Sequence, residues 1–122
     1  MAALIGKVML VEDDASMRTL LRTLLEIEGH TVVSYYENKN TSNSIVDMVR
    51  SEHPAAILID VHLKNDTSGI DVLREIRADS ALNDVRVIMS SGMDMKDECL
   101  EAGATDFLMK PYMPDELLSR LV

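Results

Sequence analysis

An apolar run that ends in three acids decides the fold, and it reads VMLVEDD at residues 8–14. The apolar part, Val8 to Val11, has the length of a strand. The apolar residues that follow, from Met17 to Leu25, recur three and four positions apart, as on one face of an amphipathic helix. A strand that leads directly into such a helix is the first part of a parallel strand-helix-strand unit.

The same alternation continues along the chain and predicts five strand-then-helix units. Because the third of these runs, Ala55 to Ile59, is apolar on both faces, it is typical of a parallel strand covered by helices above and below. We therefore predict an α/β fold, a doubly wound five-stranded parallel sheet in one domain. The predicted strands are Val8 to Val11, Thr31 to Tyr36, Ala55 to Ile59, Val85 to Met89 and Phe107 to Met109. The predicted helices include Met17 to Leu25, Ile45 to Val49, Ile70 to Ile76, Lys96 to Ala102 and Asp115 to Leu121, and Glu37 to Ser44 reads as a loop.

Composition excludes several classes of protein. With 12 Lys and Arg against 21 Asp and Glu, the chain of 122 residues carries a formal charge of −9, which disfavours direct binding to nucleic acid. Its apolar stretches are short and interrupted by charges, so no membrane span is expected. The single cysteine, Cys99, and the absence of a signal-peptide pattern favour a reducing cytoplasm.

Polar residues follow four of the five predicted strands. Ligands of such sheets bind outside the carboxyl ends of the strands, and carboxylates that converge there are relieved by a divalent cation. Oxygen-only ligands favour Mg²⁺, with Mn²⁺ as an alternative, and a lysine and a hydroxyl opposite the ion suit a phosphoryl group. The residues concerned are Glu12, Asp13 and Asp14, then Asp60, then Ser90, Ser91 and Gly92, and finally Lys110 and Pro111.

Four motifs in this order resemble the receiver domains of two-component response regulators, and the resemblance covers essentially the whole chain. It implies a flavodoxin-like fold with strand order 2-1-3-4-5. The motifs are VEDD at Val11 to Asp14, ILID at Ile57 to Asp60, VIMSSG at Val87 to Gly92, and KP at Lys110 and Pro111.

The resemblance also implies roles for the acids. Asp60 would accept a phosphoryl group from a phosphohistidine. Asp13 would bind Mg²⁺ directly and Glu12 through water. Asp60 and the backbone carbonyl of His62 would complete the protein ligands, while Asp14 is interpreted as a helix cap or a more distant acid.

At the other strand ends, the resemblance implies that Lys110 pairs with the phosphoryl oxygens and that the bond before Pro111 is cis. Alignment along the fourth strand puts Ser91 at the switch hydroxyl position and Gly92 at the small residue after it. Ser90 is the second choice. It is one residue out of register, so its side chain is expected on the opposite face of the sheet.

We also predict functional roles for three further residues. Phe107 stands where the family carries an aromatic residue that swings inward on activation, although a phenylalanine in a strand is also ordinary core. His62 and Met93, each two residues past a site residue, are predicted to tune the lifetime of the phosphorylated state. A solvated loop histidine is the alternative for His62.

Three departures from the family pattern bear on these expectations. The loop after Asp60 has one residue more than its commonest form and Lys64 in place of proline. Between Ser91 and Lys110 the chain is about three residues short, which predicts a short or irregular fourth helix. The chain stops at Val122, so residues 1–122 form either a receiver with a short last helix or one cut from a longer protein.

The expected function is a phosphorylation-activated switch in the cytoplasm and not an enzyme acting on other substrates. Its partners would be a sensor histidine kinase or phosphotransfer protein, and a downstream protein or fused output domain. A homodimer through the face of the fourth helix, fifth strand and fifth helix is a further expectation.

Two alternatives stay open at this point. A receiver-like docking module would signal without phosphate, although such domains usually lose an acid, the acceptor or the lysine. A phosphatase of the haloacid dehalogenase type would need an aspartate where His62 stands, and a cap domain.

Overall fold

The computed structural model describes residues 6–37 and 44–121. Strands and helices alternate throughout, with three short 3₁₀ turns between them. The strands are β1 (Lys7–Val11), β2 (Thr31–Ser34), β3 (Ala56–Asp60), β4 (Arg86–Ser91) and β5 (Asp106–Met109). The helices are α1 (Ala15–Ile27), α2 (Ile45–Glu52), α3 (Gly69–Ala78), α4 (Lys96–Glu101) and α5 (Pro114–Ser119), and the 3₁₀ turns are Tyr35–Glu37, Lys64–Asp66 and Ser80–Leu82.

The five strands form one parallel sheet in the order β2-β1-β3-β4-β5. This confirms the predicted fold class and strand order. Because β1 and β3 are neighbours, and β4 and β5 follow on one side, the ends of four strands meet along one edge. The register places Asp60 directly beside Ser90.

Apolar side chains fill both faces of the sheet. One cluster joins the sheet to α2, α3 and Cys99 of α4. The other joins it to α1 and α5, with Leu25 and Leu117 at its centre. All five residues of β3 are buried, as expected of a central strand covered on both faces.

Side-chain oxygens cap the N-termini of three of these helices. The Asp14 carboxylate accepts a hydrogen bond from the Met17 backbone N–H at 2.9 Å, which confirms the cap interpretation. Ser44 caps α2 in the same way, and Ser68 caps α3. Each cap satisfies a backbone donor that has no partner inside its helix, so the polar residues between strand and helix set where the helices begin.

Two strand ends, those of β2 and β4, lie two residues from their predicted positions. β2 ends at Ser34, the last β2 residue paired with β1, and the two tyrosines predicted to extend it lie in a 3₁₀ turn with their rings edge to face at 5.0 Å. β4 continues two residues past Met89, because β3 and β5 still offer it partners there. Residues 38–43 of the predicted loop lie outside the described residues.

The fourth helix is short, as predicted, with six residues. In residues 6–37 and 44–121, none of the helices has the length and apolar character needed to span a membrane.

Candidate functional site at the sheet edge

Three carboxylates converge where β1 and β3 end. Glu12 and Asp13 follow β1, and Asp60 is the last residue of β3; one carboxylate oxygen from each lies within 4.8 Å of the other two. Glu12 and Asp60 are buried. Three like charges at this distance repel each other, and their oxygens are the donors that Mg²⁺ prefers. The residues present therefore fit a magnesium ion.

Lys110 balances this cluster from the end of β5. Its Nζ donates a hydrogen bond to Asp60 Oδ2 at 2.8 Å and another to Glu12 Oε1 at 3.3 Å. Burial by itself would lower the pKa of Lys110, but the hydrogen bond and charge of Asp60, together with Glu12, raise the pKa overall. The ammonium group is therefore held in its charged form beside the acids.

Glu12 is the most constrained of the acids. Its Oε2 accepts a hydrogen bond from the Asp14 backbone N–H at 3.1 Å, and its backbone carbonyl accepts one from Arg18 at 2.9 Å. Burial raises the pKa of Glu12, and the charge of Asp60 adds to the rise, while the Asp14 N–H and Lys110 oppose it. A second cation at the cluster would relieve this cost.

The two serines at the end of β4 make different contacts. Ser90 Oγ donates a hydrogen bond to Asp60 Oδ1 at 2.6 Å, so the expectation that Ser90 faces away from the site is wrong. Ser90 and Asp60 are partners in the parallel ladder, and paired residues on neighbouring strands point to the same side. Ser91 Oγ accepts a hydrogen bond from the Met93 backbone N–H at 3.1 Å, and the switch role of Ser91 stays a prediction.

A cleft of about 110 Å³ opens above the Asp60 carboxylate. A Cβ added at Gly92 would meet no heavy atom within 4 Å in the described part of the chain, so this rim of the cleft is open. The residues that line the cleft are Asp60, His62, Ser90, Ser91, Gly92 and Lys110.

The other predicted residues differ in where they lie, and of these only His62 lines the cleft. The peptide bond between Lys110 and Pro111 is cis, as expected from the sequence. Phe107 is 7% exposed and packs in the core, so its inward swing stays a prediction. Met93 is 62% exposed. His62 is also exposed, on a loop whose backbone bridges to Ser68.

Sequence reasoning missed one pair of residues next to the cluster. Lys64 Nζ lies 5.6 Å from the centre of the Tyr36 ring, in the range of a cation–π contact. Burial raises the pKa of Tyr36, and the negative charges of Asp13 and Asp60 add to the rise. In the sequence, the signal at Lys64 is its departure from the proline that the family usually carries there.

A parallel sheet in this order, with a buried aspartate at the end of its central strand and a lysine opposite, defines a class of α/β signalling domain. Residues 8–122 match the family described as the response regulator receiver domain, and the chain belongs to that family.

Two curated relatives illustrate the match. The chain is 33% identical over 122 residues to the phosphate regulon transcriptional regulatory protein PhoB of Pseudomonas aeruginosa, covering 97% of this chain and 51% of that protein. It is 35% identical over 118 residues to the probable transcriptional regulator ycf27 of Guillardia theta, covering 94% and 43%. The chain thus spans about half the length of these relatives.

Solved structures agree in fold. The receiver domain of the Francisella response regulator 1452 is 27% identical with a TM-score of 0.80, covering 95% of this chain and 93% of that one. The receiver domain of a sensor histidine kinase from Pseudomonas aeruginosa is 29% identical with a TM-score of 0.77 and the same coverage. That structure holds a magnesium ion coordinated in its active site cleft.

Proposed function

We propose that this receiver domain is a switch whose Asp60 accepts a phosphoryl group from a phosphohistidine on a sensor histidine kinase or phosphotransfer protein. The observation that carries the proposal is the contact of Asp60 with both Lys110 and Ser90 beside two further acids. A carboxylate held in place next to a cation is ready to attack phosphorus in line.

In the transfer step, an Asp60 oxygen forms a bond to phosphorus while the bond between phosphorus and the donor's imidazole nitrogen breaks. The imidazole keeps the electron pair of that bond. Lys110, already at 2.8 Å from Asp60 Oδ2, offsets the negative charge of the incoming phosphoryl oxygens. Ser91 and Gly92 at the rim of the cleft would receive these oxygens.

Glu12, Asp13, Asp60 and the backbone carbonyl of His62 would hold the Mg²⁺ ion, which when bound supplies charge neutralisation for the phosphoryl oxygens. Three of these residues already place an oxygen within 4.8 Å of one another. Glu12 would act through water, since Lys110 occupies its Oε1.

The added phosphoryl charge, about −1.5 to −2, would alter the contacts of Lys110 and Ser91 at the ends of β5 and β4. We propose that the surface formed by α4, β5 and α5 passes this change to a downstream protein, a fused output domain or a second copy of the chain. Exposed apolar side chains on that surface, Leu100, Met109 and Met113, support its use as a contact face. The two relatives named above are transcriptional regulators, which supports an output of this kind.

The proposal is tested by incubating the protein with Mg²⁺ and acetyl phosphate and following its intact mass. We expect a gain of about 80 Da for one phosphoryl group in the unaltered protein and no gain in Asp60→Asn. Asp66→Asn is a matched control, because it makes the same change at an exposed residue of the following loop, and it should gain the mass. No gain in the unaltered protein, as expected of a phosphate-independent docking module, would refute the proposal.

A further inference from the structure

The hydroxyl that contacts the Asp60 carboxylate is not that of the expected switch residue, Ser91, but that of its neighbour Ser90. Ser90 is 1% exposed, and its Oγ donates a hydrogen bond to Asp60 Oδ1 at 2.6 Å. The neighbouring hydroxyl of Ser91 is engaged with the Met93 backbone instead. The two serines at the end of β4 are therefore placed for different tasks.

The contact from Ser90 favours a free, ionised carboxylate. A hydroxyl 2.5–2.7 Å from a carboxylate oxygen is typical of a charge-assisted hydrogen bond, which weakens when the oxygen loses negative charge. An aspartyl phosphate carries less charge on its carboxyl group than the free carboxylate does. The hydrogen bond from Ser90 is therefore stronger before phosphorylation and after hydrolysis than in the phosphorylated state.

Ser90 also has little freedom to follow the phosphoryl group. Its strand is bonded on both sides, with the Val61 backbone N–H donating to the Ser90 carbonyl at 2.9 Å and Leu108 as its partner in β5. Lys110, by contrast, holds its ammonium group at the end of a long flexible side chain. When phosphoryl oxygens are present, Lys110 can turn to them while Ser90 stays on the carboxyl group.

Building on the proposed function, we propose that Ser90 is a catalytic residue for loss of the phosphoryl group from Asp60. In that step, a water oxygen forms a bond to phosphorus, the bond between phosphorus and the Asp60 oxygen breaks, and its electron pair returns to the carboxylate. The water proton leaves with the inorganic phosphate. Ser90 stabilises the negative charge as it returns, since its hydrogen bond is stronger in the transition state than in the phosphorylated state.

Four versions of the protein test this role: the unaltered chain, Ser90→Ala, Ser90→Thr and Ser90→Val. Each is phosphorylated with acetyl phosphate and Mg²⁺, freed of the donor, and followed by intact mass. Ser90→Ala should lengthen the lifetime of the phosphorylated state about ten-fold, the effect of losing one modest charge-assisted hydrogen bond. Threonine and valine have the same shape and differ in the hydroxyl, so Ser90→Thr should keep a lifetime near the original and Ser90→Val should lengthen it.

The rate of phosphorylation separates this role from general damage to the cleft. The hydrogen bond also stabilises the free carboxylate before it attacks, so its loss should leave phosphorylation as fast or faster, whereas a distorted cleft would slow both steps. Unchanged or shorter lifetimes in Ser90→Ala and Ser90→Val, or equal lifetimes in the threonine and valine variants, would overturn the role of Ser90. The proposed function would then still stand. Absence of any mass gain in the unaltered protein would overturn the proposed function, and the inference with it.

Discussion

Two loops leave the sheet at the same edge, one after β3 and one after β4, and they are built in opposite ways. The loop after β3, residues 61–68, is closed by backbone hydrogen bonds, among them Leu63 to Thr67 at 3.0 Å. The segment after β4, residues 92–95, is largely exposed, and the helix that follows begins with a hydrogen bond from the Lys96 backbone N–H to Asp94 Oδ1 at 3.3 Å. The Asp60 carboxylate, the proposed acceptor, is thus held on the side of the β3 loop, while the opposite rim is exposed.

The two loops also differ in how they use glycine. Gly69, where the β3 loop enters α3, donates a hydrogen bond to the Val61 carbonyl at 2.7 Å. A Cβ at this position would lie 2.0 Å from the Asp60 carbonyl oxygen, far inside contact distance. At Gly92, after β4, a Cβ would find open space among the described residues.

The largest expected effect follows from this contrast. We expect Gly69→Ala to lower the free energy of unfolding by about 3 kcal/mol, because the backbone around Asp60 must move to admit the methyl group. Gly92→Ala is the matched control and should change it by less than about 0.5 kcal/mol. Urea denaturation of both variants measures the difference, and equal effects would contradict the account of the two loops.

The second-largest expected effect is stabilisation of the folded protein by magnesium. We expect Mg²⁺ at a hundred times its dissociation constant to raise the free energy of unfolding by about 2.7 kcal/mol, because the proposed site requires the three acids that only folding brings together. Asp13→Asn should remove most of this gain. Asp14→Asn keeps a good cap for α1 and makes the same change of charge outside the cluster, so it should retain the gain. Thermal or urea denaturation with and without Mg²⁺ provides the measurement.

The same gain should depend on pH through Glu12, whose pKa is raised above the ordinary value of 4.5 chiefly by burial. An acid with a raised pKa in the folded state costs stability when ionised, and this cost disappears as the pH falls through the raised pKa. Without Mg²⁺, protonation of Glu12 therefore favours folding, while with Mg²⁺ the proton competes with the ion. We expect the gain from Mg²⁺ to shrink as the pH is lowered toward 4.5, and to shrink less in Glu12→Gln.

A smaller effect is expected on the rate of dephosphorylation, from residues at corresponding positions in the two loops. His62 and Met93 each lie two residues past Asp60 and Ser91, and removing either side chain should open the cleft to water. We expect His62→Ala and Met93→Ala to shorten the lifetime of the phosphorylated state several-fold. This corresponds to lowering the activation free energy of dephosphorylation by less than about 1 kcal/mol. His62 should have the larger effect, because its backbone is bridged to Ser68. Unchanged rates of dephosphorylation in both variants would refute the hypothesis.

The acidic edge was predictable because it depends on strand order and on where apolar runs stop. Once five parallel strands are recognised, Glu12, Asp60 and Lys110 must fall on one edge, since parallel strands share their carboxyl ends. The resemblance to receiver domains further implied the cis bond before Pro111, and the chain's shortfall against the family pattern between Ser91 and Lys110 predicted the short α4.

The orientation of Ser90 could not be predicted in this way. Whether residues of two neighbouring strands face the same side of the sheet depends on how the strands pair, and motif counting treats each strand separately. The pairing of Asp60 with Ser90 is a property of the assembled sheet. The 3₁₀ turn at Tyr35 and Tyr36 escaped prediction for a related reason: β-branched and aromatic residues favour strands, but in the assembled sheet the pairing of β2 with β1 ends at Ser34.

The contact between Lys64 and Tyr36 is another product of tertiary structure, and it gives the smallest effect expected here. Lys64 belongs to the β3 loop, where Asn65 and Asp66 both adopt left-handed backbone conformations and so accommodate the extra residue. Its ammonium group lies 5.6 Å from the centre of the Tyr36 ring, and an exposed contact of this kind contributes about 0.5 kcal/mol. We expect Lys64→Gln to lower the free energy of unfolding by that amount.

Lys96, in the first turn of α4 after the β4 loop, provides the matched control. On a chain with a formal charge of −9, both Lys64→Gln and Lys96→Gln remove one positive charge, so the effect of general charge repulsion cancels when the two are compared. Tyr36→Phe should preserve the contact with Lys64, and Tyr36→Leu should remove it. In Tyr36→Leu, the further change Lys64→Gln should therefore cost no more than Lys96→Gln does. An equal cost of Lys64→Gln with and without the ring would show that the lysine does not hold the β3 loop through Tyr36.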